Sequence, residues 1–304
     1  MSIDPSTHDP LAGLDRIAVT GIRGWGRHGV LAAEQELGQA FTVDVVLRLD
    51  TSAAGRGDEL GATVNYAEVA AVAAAEITAG PHLLIETLAA RIAERTLAEC
   101  GAPLLRRVEV TVHKPAAPVG LPVDDVAVTI TRDAPPGEAV LALGTNLGER
   151  ETQLAAALAS LAAAPGVEVA WTSPVVETAP VGGPAGQGAF LNAVAGVRTV
   201  LAPAQLLAVC ARLEREARRV RTVRWGPRTL DVDVITYGEH RSADPVLTLP
   251  HPRAHQRAFV LDPWHRARPE AELPGHGALA ALLEQAADRA EIRPGPVIEG
   301  FDQP

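Results

Sequence analysis

Apolar and polar residues alternate through "QAFTVDVVLRLD", residues 39–50, placing Phe41, Val43, Val45 and Leu47 on one side of an extended chain. That period of two predicts a strand with one buried face. The preceding "RIAVTGIRGWG" reads as another strand, with a turn-rich segment between the two. Helices are then predicted over about Tyr66 to Ile77 and His82 to Glu99. The second shows Leu84, Leu88 and Ile92 at helical intervals, with Pro81 at its mouth. "RRVEVTVHK" and "DDVAVTITR" close the pattern as two more strands, joined by the proline-rich "PAAPVGLP". The order strand, strand, helix, helix, strand, strand predicts an antiparallel α+β unit over residues 14–132.

"TRDAPPGEA" breaks the pattern with a proline pair and a glycine, and residues 133–137 read as a linker. From Ala139 the strand "AVLALGTNLG" starts a second unit, residues 138–290, followed by a helix from about Arg150 to Ala163 lined by Leu154, Leu158 and Leu161. Strands near Val167 to Thr172 and Leu191 to Val200 follow. A helix from about Pro203 to Val220 and a strand in "RWGPRTLDVDV" complete a further α+β reading, without internal repeat. The tail "EIRPGPVIEGFDQP", residues 291–304, reads as frayed or loosely docked.

At 304 residues, 47% apolar and 21% charged, the chain can bury two ordinary cores. No 18-residue apolar run suggests a membrane span, and the acidic N-terminus lacks the basic start of a secretory signal, so the expected location is the cytoplasm. Cys100 and Cys210 lack metal-ligand spacing and read as small buried or half-buried residues. A formal charge of −10 argues against a general nucleic-acid binder. Among the 27 basic residues Lys114 is the one lysine. That scarcity excludes a P-loop. It also singles out Lys114, because a lysine can be tuned to exchange its proton and an arginine cannot.

Asp231 and Asp233 stand at i and i+2 of a strand, on one face and roughly 6 to 7 Å apart. A solvated strand exterior is the plain alternative. The flanks favour chemistry: Arg219, Arg221, Arg224 and Arg228 lie within a dozen residues upstream, Trp225 offers a flat stacking surface, and His251, His255 and Arg257 follow before Phe259. Carboxylates that hold magnesium, beside arginines that grip phosphates, would relieve the repulsion. The same basic run could instead contact nucleic acid.

"ALGTNLGER", "RWGPRTLDVDV" and "LTLPHPRAHQRAFVL", in this order, resemble 6-hydroxymethyl-7,8-dihydropterin pyrophosphokinase over about residues 138–290. The resemblance implies a ferredoxin-like α/β fold, ATP as co-substrate, and two magnesium ions bridged by Asp231 and Asp233. It implies transfer of a pyrophosphoryl group to the pterin hydroxymethyl oxygen with release of AMP. Arg228, Arg219 and Arg221, with Arg224, would act on the triphosphate; His251, Arg257 and Glu214 would line the nucleotide side. "VETAPVGG" and "AFLN" would place Thr178, Pro180, Val181, Phe190 and Asn192 around the pterin, between Phe190 and Phe259, with Trp225 against the substrate. Ala179-Pro180 stands where the family often has Pro-Pro, and Phe190 where it often has tyrosine.

In the first unit, "GRHGVLAAEQELGQ", "TVNYAEV", "HLLIETLAARIA" and "VEVTVHKP" resemble dihydroneopterin aldolase across about residues 14–132. A tunnelling-type fold is implied, whose protomers close a homo-oligomeric ring, tetrameric or paired into an octamer, with sites between subunits. Glu86, read as a partly buried helix position, would bind the 2-amino and N3 edge of the pterin. Lys114 would handle proton transfers, Tyr66 would come from the neighbouring subunit, and Glu34 and His28 would address the side-chain hydroxyls or pyrazine edge. The reaction implied is retro-aldol cleavage of 7,8-dihydroneopterin, needing neither metal nor Schiff base. Asn65 departs from the histidine of some relatives. An inactive ring-forming scaffold and a pterin epimerase stay open as alternatives.

Overall fold

A computed structural model describes residues 9–101, 103–180, 187–217 and 228–302. The chain forms two compact units, Met1–Pro135 and Pro136–Pro304, dividing inside the proline pair.

The first unit runs β1 (Asp15–Gly26), α1 (Ala32–Leu37), β2 (Gln39–Leu49), α2 (Ser52–Gly57), α3 (Tyr66–Thr78), α4 (Ile85–Glu99), β3 (Leu105–His113) and β4 (Ala127–Asp133). Its strands form one antiparallel sheet in the order β1-β2-β3-β4. Register pairs Val43 with Val112, Val45 with Val110 and Leu47 with Val108, so one face is a continuous aliphatic surface. Val69, Val72, Ala73 and Ile77 of α3 and Ile85, Leu88, Ala89, Ile92 and Ala93 of α4 cover it. The predicted alternation in β2 therefore marks the core-facing side. Asn65 caps α3, its side chain accepting from Ala67 N at 3.1 Å. Helix α4 begins three residues later than expected. His82 spends its backbone on the loop after β1, its carbonyl accepting from Gly29 N at 2.9 Å and its N–H donating to the His28 ring at 3.1 Å.

The second unit runs β5 (Gly137–Thr145), α5 (Arg150–Ala162), β6 (Val167–Thr172), β7 (Val176–Thr178), β8 (Phe190–Thr199), α6 (Pro203–Glu216), β9 (Asp231–Tyr237), α7 (Ala258–Ala267), β10 (Glu272–Leu273), β11 (Gly277–Ala278), α8 (Leu279–Gln285) and β12 (Arg293–Pro294). An antiparallel sheet runs β12-β7-β8-β5-β9, with β6 also paired to β8. Both faces are covered. Leu154, Leu158 and Leu161 of α5 and Leu206, Cys210 and Leu213 of α6 pack on Leu141, Leu143, Val232 and Val234. On the opposite face, Val260, Leu261 and Trp264 of α7 and Leu279 and Leu283 of α8 pack with Val194 and Ile235. Cys100 and Cys210 are both buried and free. Among the described residues no helix is long and apolar enough to cross a membrane.

The tail corrects the expectation of fraying. Arg293 and Pro294 pair with Glu177 and Val176, Gly295 N donates to Val175 O at 2.9 Å, and Asp302 N donates to Ser173 O at 3.0 Å. Ile298 and Phe301 are buried in the α5/α6 core, and that apolar burial is what docks the segment. Phe301→Ala is expected to destabilise the second unit by about 3 kcal/mol. Denaturant unfolding followed by hydrogen exchange at β7 measures this; an unchanged midpoint there would show that the tail adds nothing.

Candidate functional site

In the first unit the chain's one lysine is buried. Lys114 follows β3, is 8% exposed, and donates through Nζ to Glu34 Oε1 at 2.5 Å. Glu34 is itself buried in the first turn of α1, where it accepts from Leu31 N at 3.0 Å and Gln39 Nε2 at 3.1 Å. Burial pushes the Glu34 carboxyl up, but the Lys114 hydrogen bond and the Leu31 N–H outweigh it, holding the group below the ordinary glutamate value. Gly29 has a φ of +152°, and a Cβ there would lie 2.3 Å from the Glu34 carboxylate. Glycine is what lets the loop pass over this acid.

Around this pair the expected residues divide. His28 is fully buried, and both ring nitrogens are committed to backbone: Nε2 to Ile77 O at 2.9 Å and Nδ1 to His82 N at 3.1 Å. The His82 N–H needs an acceptor, so Nε2 carries the proton toward Ile77 O. Burial lowers the His28 pKa, keeping the ring neutral. His28 therefore ties the loop to the backbone of Ile77 and His82. Glu86 is exposed in the first turn of α4, where the helix N-terminus favours an anion, rather than partly buried. Ile85 and Leu88, not Glu86, carry the inward stripe. Tyr66, at the start of α3, is 64% exposed.

In the second unit Asp231 and Asp233 pair with Gly144 and Ala142 of β5. All four line a cavity of about 390 Å³ with Thr178, Phe190, Asn192, Arg228, Arg257 and Phe259. Arg228 Nη1 bonds Asp231 Oδ2, and the Arg228 guanidinium lies 5.8 Å from the Phe190 ring centre. Arg257 sits 5.3 Å from the ring centre of Phe259. Asn192 Nδ2 donates to Thr178 Oγ1 at 2.9 Å. A Cβ on Gly144 would come within 2.8 Å of Asn192 Oδ1, so glycine keeps the cavity wall flat there. His251 Nε2 lies 3.9 Å from Asp233 Oδ2.

Glu214 is not among the cavity-lining residues; it is buried on α6, and its Oε1 accepts from Val232 N at 3.1 Å, bracing the strand between the two aspartates. Pro180 is half-buried and likewise absent from the lining. Val181, Arg219, Arg221, Arg224 and Trp225 lie outside the described residues. Arg253, Gln256 and Asp288 also line the cavity, beyond the residues to which the sequence motifs point. Arg253 and Gln256 lie inside the quoted "PHPRAHQR"; Asp288 comes from a stretch with no local signal.

Two family models match, in chain order. Residues 17–131 match dihydroneopterin aldolase, and residues 140–269 match 7,8-dihydro-6-hydroxymethylpterin-pyrophosphokinase. The dihydroneopterin aldolase of Streptomyces coelicolor is 48% identical over 119 residues, covering 39% of this chain and 98% of the relative. The 2-amino-4-hydroxy-6-hydroxymethyldihydropteridine pyrophosphokinase of Methylorubrum extorquens is 40% identical over 156 residues, covering 50% of this chain and 98% of the relative. The chain belongs to both families. It is a fused, bifunctional enzyme that joins two consecutive steps of folate biosynthesis, a lyase followed by a diphosphotransferase. Among solved structures, Escherichia coli dihydroneopterin aldolase in complex with neopterin is 24% identical, with a TM-score of 0.36 over 39% of this chain and 99% of that one.

His251, beside Asp233, yields a titration test. Burial, then the positive charges of Arg257 and Arg253, push the His251 imidazole down to about 4 from the ordinary 6.5. A depressed folded-state value means that His251 contributes stability above pH 6.5, which is lost as the pH falls through about 4. NMR titration should find this ring neutral at pH 5.5; a midpoint near 6.5 would show that the burial argument is wrong.

Proposed function

We propose that Lys114 and Glu34 carry proton transfer in the aldolase unit, and that Asp231 and Asp233 with Arg228 carry diphosphate transfer in the pyrophosphokinase unit. For the first, the supporting observation is the burial of the chain's one lysine against a glutamate. For the second, it is the opening of both aspartates into one cavity with three arginines and two phenylalanines.

Cleavage of 7,8-dihydroneopterin breaks a carbon–carbon bond in the side chain, releasing glycolaldehyde while the pterin ring takes up the electron pair. The chain must then move protons at the side-chain hydroxyl and at the carbon left behind. Lys114 can exchange a proton there, and Glu34 fixes its Nζ in place. Glu86 presents an open carboxylate able to take paired N–H donors from the pterin's amino edge. Tyr66 and the side chains of Val30, Leu31, Leu83 and Leu84 are exposed. This row of apolar groups beside the proposed site residues supports a homo-oligomer in which a second copy covers the site and supplies its Tyr66.

The product, 6-hydroxymethyl-7,8-dihydropterin, is the acceptor for the second step, with ATP as co-substrate. Its ring fits between Phe190 and Phe259, with Thr178 and Asn192 offering polar groups on the same wall. Arg228 and Arg257 are placed for the phosphates. The donor set also fits magnesium: two carboxylates sit on one strand face and line one cavity. Magnesium is commonly held this way, by one or two carboxylates completed by phosphate oxygens and water. When bound, it would neutralise charge at the phosphates as the hydroxymethyl oxygen attacks. The two carboxylates would hold it, and Arg228 would exchange its hold on Asp231 for the triphosphate.

A coupled assay with 7,8-dihydroneopterin, ATP and magnesium, reading glycolaldehyde and AMP separately, tests both halves. Lys114→Ala should lose glycolaldehyde release by about 100-fold or more while AMP formation from added 6-hydroxymethyl-7,8-dihydropterin persists. Asp231→Asn with Asp233→Asn should show the reverse pattern, with a loss of similar size. Undiminished rates in either variant would remove the corresponding assignment.

A further inference from the structure

Asn146, in the turn "GTNLG" after β5, is 6% exposed although its side chain is an amide. A buried amide needs partners on both its oxygen and its nitrogen. Asn146 Oδ1 accepts from Arg228 N at 2.8 Å, and Asn146 N donates to Arg228 O at 3.1 Å. On the other side Nδ2 donates to Gly188 O at 3.3 Å and to Gln187 Oε1 at 3.4 Å. One side chain thus joins three segments: the β5–α5 turn, the strand entrance carrying Arg228, and the arm that leads into β8. A flipped amide would set N–H against N–H at Arg228 and oxygen against oxygen at Gly188. The side chain therefore fits in a single orientation, and neither aspartate nor leucine would satisfy both sides.

The segments joined are the ones that need fixed spacing. Gln187 and Gly188 run directly into Phe190 and Asn192, the pterin wall, whereas Arg228 reaches Asp231 at the phosphate end. We propose that Asn146 is a positioning residue of the pyrophosphokinase centre, holding the pterin wall and Arg228 in one register. The inference rests on the roles given above to Phe190 and Arg228. In-line transfer needs the hydroxymethyl oxygen and the phosphorus at near-contact distance, so a small slip between these segments costs rate without removing any group that touches substrate.

Substitutions in the full-length chain separate the two sides of the amide. Asn146→Asp keeps the acceptor for Arg228 N but sets an anion against Gly188 O and Gln187 Oε1; Asn146→Ala loses both ties. With 6-hydroxymethyl-7,8-dihydropterin, ATP and magnesium, Asn146→Asp is expected to raise KM for the pterin about tenfold while KM for ATP stays within about twofold. Asn146→Ala should in addition lower kcat about tenfold. Gln187→Ala, which leaves the buried amide in place, should raise the pterin KM by about two- to threefold. Glycolaldehyde release should be unchanged throughout. Wild-type constants in both Asn146 variants, alongside lost AMP formation in Arg228→Ala, would overturn the proposal alone. Undiminished AMP formation in Arg228→Ala would overturn the reading of the site and the proposal with it. Equal rises in both KM values, accompanied by a lowered Tm in Gln187→Ala as well, would mark general loosening and also overturn it.

Discussion

A carboxylate taken out of water must be met by a cation or by donated hydrogen bonds, and the reactive parts of both units are arranged around that demand. Glu34 is met by Lys114, Gln39 and the Leu31 N–H. Glu76, buried on α3, is met by Arg95 from α4 at 2.9 Å. Glu214 receives the Val232 N–H, and Asp231 receives Arg228. Glu34, Glu76 and Glu214 tie together elements distant in sequence, whereas the Arg228–Asp231 pair is local, so joining elements and holding acids are partly the same interactions. The cost of leaving any of these acids unpaired is larger than the gain from an ordinary surface pair, which explains their precise partners.

Much of the scaffold was legible because its causes are periodic. Strand β2 buries the residues that its alternation marks, and α3 and α4 bury stripes at helical spacing. The side-by-side placement of Asp231 and Asp233 follows from strand geometry alone, and the register opposite Gly144 and Ala142 gives them their common cavity. The proline pair marks a real division because proline can continue neither strand's ladder.

What stayed hidden depends on contacts distant in sequence. Helix α7 carries Pro263 in its interior, a residue that argues against a helix locally, yet Val260, Leu261 and Trp264 bury enough surface against the sheet to hold it. The tail has too few apolar residues to form a pattern, but Ile298 and Phe301 find the core already made by α5 and α6. His28 looks like a chemical residue in any sequence. The backbone groups of Ile77 and His82, 49 and 54 residues away, take up both of its ring nitrogens, which no local pattern announces. Glu86 has apolar neighbours in sequence, yet the helix turns Ile85 and Leu88 inward and the carboxylate outward. Arg253, Gln256 and Asp288 reach the cavity from segments whose approach is set by α7 and α8, not by local spacing.

The two reactions place different demands on a cation, which bears on a composition of 26 arginines and one lysine. Phosphate recognition wants a permanent, forked cation, and arginine keeps its proton at any physiological pH. Retro-aldol chemistry wants a cation that can give its proton up and take it back, which arginine cannot do. An enzyme performing both reactions in one chain can therefore replace lysine by arginine almost everywhere, including throughout the pyrophosphokinase unit. Lys114 marks where that replacement stops: it is the partner of Glu34, and in the proposed reading the same side chain carries a proton for the substrate.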